Sequence, residues 1–141
     1  MPKIYEHRLT VPPEAVDGNG HVNNVEYIRW MQDAAVRHST AQGWSPERYQ
    51  STGATWFVRT HEIEYLRPAF ADDAIMIRTW VADFRKVRSR RKYRFLRESD
   101  GKVLVRAVTD WVFVDIGSGR PCAIPDELRN AFIVVAPEDE P

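Results

Sequence analysis

The chain has almost no cysteine: Cys122 stands alone among 141 residues. That excludes an intramolecular disulfide framework and a cysteine-built zinc site. It has no net charge, because twenty Lys and Arg balance twenty Asp and Glu. A neutral balance weighs against a dedicated nucleic-acid binder, although a local basic patch can still hold phosphates. No apolar run approaches the roughly 20 residues of a membrane span, and the opening MPKIYEHR lacks the apolar core of a signal peptide. The expectation is a soluble cytoplasmic protein with no membrane contact. There is no internal repeat and no low-complexity stretch. What remains, at 43% hydrophobic residues, suits one domain over residues 1–141, with 135–141 as a flexible tail. A chain of this length buries roughly two-thirds of its unfolded surface and needs no staple.

Residues 4–11 read as a first strand, ended by Pro12-Pro13. Turn-forming Asp17 to His21 comes next. Asn23 is then a good N-cap, Glu26 stands where a capping box needs it, and Val22 and Tyr27 occupy the two positions of a hydrophobic staple. Ile28, Met31, Ala35 and His38 give one mostly apolar helical stripe, and Gly43 and Pro46 supply a stop. Beyond about residue 54 the period changes to two. Strands are expected over 56–65, 74–82, 87–96 and 103–114, with a hairpin signal at Ser99-Asp-Gly101 and a short closing helix over 126–132. Short links make consecutive strands mostly antiparallel. One helix cannot cover both faces of such a sheet, so a second face or an edge is expected to meet another subunit.

Chemistry concentrates in Asp17-Gly-Asn19-Gly20-His21-Val22-Asn23-Asn24, with Tyr27 one turn into the helix. The first helical N–H groups have no intrahelical partner, and the helix start carries about half a positive charge. A free N–H there, at Asn24 or Val25, suits an oxyanion. Asp17 lies close by in sequence, where a carboxylate can attack a carbonyl or activate water. Asn19 and His21 can orient that water or hold a substrate. The plainer reading also stands: Asp-Gly and Asn-Gly are ordinary turn formers, and His21 can be an ordinary loop histidine.

Asp-x-x-Gly-x-Val-x-x-x-x-Tyr, here Asp17, Gly20, Val22 and Tyr27, resembles the signature loop of the hydroxybenzoyl-CoA branch of hotdog-fold thioesterases. Asp17-x-Asn19-x-His21-Val-Asn-Asn24 is similar to the loop of acyl-carrier-protein thioesterases. Glu64-Tyr-Leu-Arg-Pro-Ala-Phe-Ala-Asp-Asp73 resembles the family's Tyr-x-x-Pro-Ala-x-x-x-Asp strand end, and Gly119 to Pro125 falls where the family has such a loop. The resemblance covers roughly residues 5–132. It implies an α+β hotdog fold, a curved antiparallel five-stranded sheet wrapped around one long helix, assembled as a homodimer or homotetramer with active sites between subunits. It implies hydrolysis of an acyl-CoA or acyl-carrier-protein thioester. Asp17 then matches the catalytic carboxylate, as nucleophile or general base, the N–H of Asn24 or its neighbour the carbonyl polariser, and Asn19 and His21 the accompanying polar residues. Plant carrier-protein enzymes have been assigned a further glutamate, and the matching position here is Pro68. A thiolate leaves readily, so this chemistry calls for no metal and no cofactor. The alternative on the same fold is a catalytically silent acyl-thioester binding protein.

Eleven of the twenty basic residues lie between Arg78 and Arg106, against three acids, a local net charge of +8. Tyr27, Arg88, Arg90, Arg91 and Lys92 are expected substrate-binding residues, the four basic ones for nucleotide phosphates or an acidic carrier. Alternation puts Arg88, Arg90, Lys92 and Arg94 on one strand face, which also reads as a solvated face or a guarded edge. No helix-turn-helix or ribonucleoprotein motif accompanies this run, so no nucleic-acid partner is expected.

Overall fold

A computed structural model describes residues 3–141. Five strands form one sheet: β1 (Tyr5–Thr10), β2 (Ala54–Tyr65), β3 (Ala74–Phe84), β4 (Arg88–Arg97) and β5 (Val103–Asp115). Their spatial order is β1-β3-β4-β5-β2, and every neighbouring pair is antiparallel. The helices are α1 (Asn24–Ala41), α2 (Pro46–Thr52) and α3 (Asp126–Asn130). This is the α+β hotdog arrangement, with the sheet curved around α1.

The reasons are local. Asn23 caps α1 by accepting the Val25 N–H at 3.1 Å. The expected capping box does not close. The Asn23 N–H donates to the Ala15 carbonyl at 2.9 Å, so it is already satisfied, and Glu26 turns to Arg29 instead. Val22 and Tyr27, the staple pair, are both 2% exposed in one core cluster. Pro46 does not merely stop a helix. Ser45 accepts the Arg48 N–H and Pro46 opens α2, where proline's missing donor costs nothing. The 98–101 hairpin closes as expected, with the Gly101 N–H on the Arg97 carbonyl at 2.7 Å.

The concave face carries Ile75, Ile77, Tyr93, Phe95, Val105 and Ala107 against Tyr27, Met31 and Ala34 of α1. Side chains buried this fully contribute about 1.5–3 kcal/mol each for the larger ones. A second cluster, Trp44, Tyr49, Val81, Phe113, Leu128 and Phe132, fills the end of the sheet nearest α2 and α3. On the convex face Trp80 is covered by the last residues, where sequence alone suggests a free tail. The Trp80 indole N–H donates to Glu140 at 3.2 Å, and Lys92 meets the same carboxylate at 2.8 Å. The sheet has two edges, the short β1 and the twelve-residue β2. No helix in the described residues is long and apolar enough to cross a membrane.

Candidate active site

The Asp17 loop is a closed turn standing on the start of α1. Val16 and Val22 form an isolated antiparallel bridge at its base. Above it the Asp17 N–H donates to the His21 carbonyl at 3.0 Å, and the Gly20 N–H donates to the Asp17 carbonyl at 3.1 Å. Gly20 sits at φ +83°, in the left-handed region that a side chain resists, which accounts for glycine in that turn. The Asp17 carboxylate accepts the Asn19 N–H through Oδ1 at 2.9 Å. Oδ2 has no protein donor among the described residues. The loop thus draws Asp17, Asn19 and His21 into one turn, with Asp17 and His21 half-buried and Asn19 exposed.

The downstream motif explains why the loop stays there. The Val22 N–H donates to the Ala69 carbonyl at 2.8 Å, and Ala69 is fully buried. Arg97 donates to the neighbouring Pro68 carbonyl at 2.6 Å. Pro68-Ala69 therefore buttresses the loop through main-chain atoms. At the helix start the Val25 N–H is spent on the Asn23 cap, whereas the Asn24 N–H meets no acceptor among the described residues. The Tyr65 hydroxyl, from the end of β2, donates to the Asn24 carbonyl at 3.2 Å. Tyr27 is no open contact residue: it is buried against Trp30, Tyr65 and Phe95, and burial pushes its hydroxyl pKa up to about 12. It fixes the first turn of α1 as a neutral phenol.

The four basic residues of β4 are not one cluster, because a strand alternates. Arg88 pairs with Asp110, Arg90 with Asp83 at 2.9 Å, and Lys92 with Glu140, all on the convex side. Arg91 points the other way. It is 6% exposed and lies on the face of Tyr93 and Phe95. Its Nη1 donates to His38 Nδ1 at 2.9 Å and to Thr79 Oγ1 at 3.0 Å. Thr79 in turn gives its hydroxyl proton to the Lys92 carbonyl, so it can only accept from Arg91. His38 must likewise be neutral with its proton on Nε2. Burial, reinforced by the Arg91 charge, pushes its pKa down to about 3.

Sequence reasoning missed this buried polar group and the cavity beside it. The cavity, about 610 Å³, lies between the second half of α1, α2 and the starts of β2 and β4. Its walls include Ala35, Tyr49, Trp56, Phe84 and Trp111, with Arg91 among them. The signal was present: Arg91 interrupts the apolar face of β4, and His38 interrupts the apolar stripe of α1.

Comparison with known proteins agrees with this architecture. A family model described as the thioesterase-like superfamily matches residues 11–132. Oleoyl-acyl carrier protein thioesterase 1 of Arabidopsis thaliana is 22% identical over 142 residues, covering 96% of this chain and 39% of the plant protein. An acyl-CoA thioesterase of Haemophilus influenzae is 24% identical over 120 residues, covering 84% of this chain and 87% of that one. The chain spans 26% to 39% of the length of the first chloroplast relatives it matches. The solved structure of a 1,4-dihydroxy-2-naphthoyl-CoA thioesterase from Synechocystis superposes with a TM-score of 0.84 at 17% identity, covering 91% of this chain and 94% of the other. At that identity the likeness speaks for the fold.

Proposed function

We propose, from the premise that this chain belongs to the thioesterase-like superfamily, that it hydrolyses acyl thioesters of coenzyme A or of acyl carrier protein. The observation that carries this reading is the Asp17 turn, tied by main-chain bonds to a helix start whose Asn24 N–H has no acceptor among the described residues. The Asn24 N–H donates to the thioester oxygen as negative charge builds there, at a helix end already favourable to anions. Asp17 takes a proton from water as the water oxygen adds to the carbonyl carbon. The C–S bond then breaks, and the proton passes to the departing thiolate. The other route open to Asp17 is direct attack, giving a mixed anhydride that water cleaves. Asn19 and His21 orient the water or the acyl carbonyl. Arg88, Arg90 and Lys92 are proposed contacts for the anionic end of the substrate, each having first to share or leave its carboxylate.

The working unit is proposed to be a homodimer, or a homotetramer built from it, located in the cytoplasm. β2 is a long edge strand whose outer side pairs with no strand among the described residues. Phe57, Tyr65 and Leu66 on or just beyond it are exposed, as are Val25 and Val36 on α1. Pairing β2 with a second copy's β2 about a two-fold axis buries these together.

The test is a free-thiol assay over short, long, branched and aromatic acyl-CoAs and an acyl-carrier-protein substrate. Thiol release from at least one of them is expected. Saturable binding of acyl thioesters with no release from any would instead identify a silent binding protein.

A further inference from the structure

Arg91 is a buried cation with no counter-ion among the described residues. Its two protein partners, His38 Nδ1 and Thr79 Oγ1, are neutral acceptors, and both accept hydrogen bonds from Nη1. Among the described residues no carboxylate lies within ion-pair distance of it. The remaining donors, on Nε and Nη2, have no protein acceptor there. A guanidinium keeps its proton in proteins, so the charge cannot be relieved by titration. Leaving a buried charge unpaired is costly. Such a group persists where something else supplies the anion, and here it lines a cavity of about 610 Å³ whose other walls are mainly aromatic and aliphatic.

We infer that this cavity receives an acyl group whose far end carries a carboxylate, which the free Nε and Nη2 donors of Arg91 take as a fork. The inference rests on the hydrolase reading and names its substrate class: half-thioesters of dicarboxylic acids rather than simple fatty acyl groups. A planar fork matching a carboxylate is the geometry arginine offers and lysine does not. The apolar walls suit the stem between the two ends, and they strengthen the ionic contact by excluding water.

The placement fits the proposed dimer. Thr55 to Val58 at the start of β2 line the cavity, whereas Tyr65 at the other end of β2 holds the start of α1. Antiparallel pairing of β2 with the partner's β2 sets the start of one strand beside the end of the other. The cavity of one subunit then faces the partner's Asp17 loop. Within one chain Arg91 is far from the loop, since Asn24 and His38, which Arg91 contacts, are separated by about 21 Å of helix at 1.5 Å per residue. An acyl group would thus reach from the partner's loop into this cavity, with its sulfur outside.

The experiment compares matched pairs on the full-length protein. Thiol release is measured with succinyl-, adipoyl- and suberoyl-CoA against butyryl-, hexanoyl- and octanoyl-CoA. In parallel, calorimetry measures octanoate against octanamide, which asks for a carboxylate site without needing catalysis. The expected result is a kcat/KM preference of about ten- to a hundredfold for the carboxylated member of at least one pair, and tighter binding of octanoate than of octanamide, the scale of one charged hydrogen-bond pair. Arg91→Met should collapse both ratios, and Arg91→Lys should retain part of them. Equal or opposite preferences in the wild-type protein overturn the inference and leave the hydrolase reading intact, and they decide the matter even if Arg91→Met does not fold. A preference that survives in Arg91→Met also overturns it. If no thioester turns over but octanoate binding depends on Arg91, the hydrolase reading fails and the carboxylate site stands.

Discussion

His38 offers a test of the buried polar group that needs no substrate. Its ring is 2% exposed, stacked on Tyr5 with centroids 5.3 Å apart and edge-on to Phe132, with Nδ1 on Arg91. Burial and the adjacent guanidinium lower its pKa from 6.5 to about 3. Unfolded, the imidazole takes a proton as pH falls through 6.5; folded, it does not until near 3. The unfolded state therefore binds more protons between those values, and folding stability falls with falling pH across that window. The loss reaches up to about 3 kcal/mol by about pH 4.5 relative to pH 8, a large share of the roughly 5–15 kcal/mol of a typical domain. His7 and His61 are also pushed down by burial and add losses of the same sign. The carboxylates held low, Asp100, Asp115 and Glu140, act only further into acid. His38→Asn isolates the effect, because the Asn oxygen can still accept from Arg91 but cannot titrate. Urea unfolding midpoints should show the variant less stable than wild type at neutral pH and markedly flatter between about pH 6.5 and 4.5. Equal acid losses in both proteins would refute a buried, neutral His38.

Three further outcomes rest on single contacts. Gly20→Ala adds a side chain at φ +83° where nothing lies within 4 Å, so its cost is backbone strain alone, of order 1–2 kcal/mol. Because that strain falls on the turn holding Asp17, thiol release should drop more than the melting temperature does. Ser39→Ala removes the hydroxyl that donates to the Trp44 carbonyl at 2.7 Å and meets the Tyr49 hydroxyl at 2.8 Å. Leaving the Trp44 carbonyl unpaired and the Tyr49 hydroxyl with only the Trp56 indole N–H should cost about 1–3 kcal/mol in denaturant titration. Phe57→Glu on the β2 edge should shift the protein toward monomer in light scattering, and an unchanged mass would contradict assembly through β2.

How much is legible in sequence depends on the range of the interaction. Asn23, Val22 and Tyr27 act within one helical turn, and the start of α1 is where their pattern puts it. Strand periodicity and the Asp100-Gly101 turn likewise fix β3, β4 and β5 to within a residue or two. α2 is not legible, because a proline after Gly43 reads as a stop until Ser45 is seen capping a new helix. The capping box fails for a long-range reason: the Asn23 N–H is already taken by Ala15. Asp17, Asn19 and His21 stand in one turn as their spacing implies, whereas the role of Ala69 as a main-chain buttress depends on a contact across the fold. Composition groups Arg91 with its basic neighbours. Strand alternation divides them, and only the packed structure reveals His38 and Thr79 as its partners.

Everything proposed about catalysis converges on the Asp17 carboxylate, and its most direct test is the turnover of Asp17→Asn on whichever thioester the wild-type protein cleaves fastest. The amide keeps the size of the side chain and an oxygen for the Asn19 N–H, so the turn should hold and the melting temperature should change little. Thiol release should fall by about 10²–10⁴, the usual contribution of a positioned base. A folded Asp17→Asn protein that releases thiol at the wild-type rate would contradict the assignment.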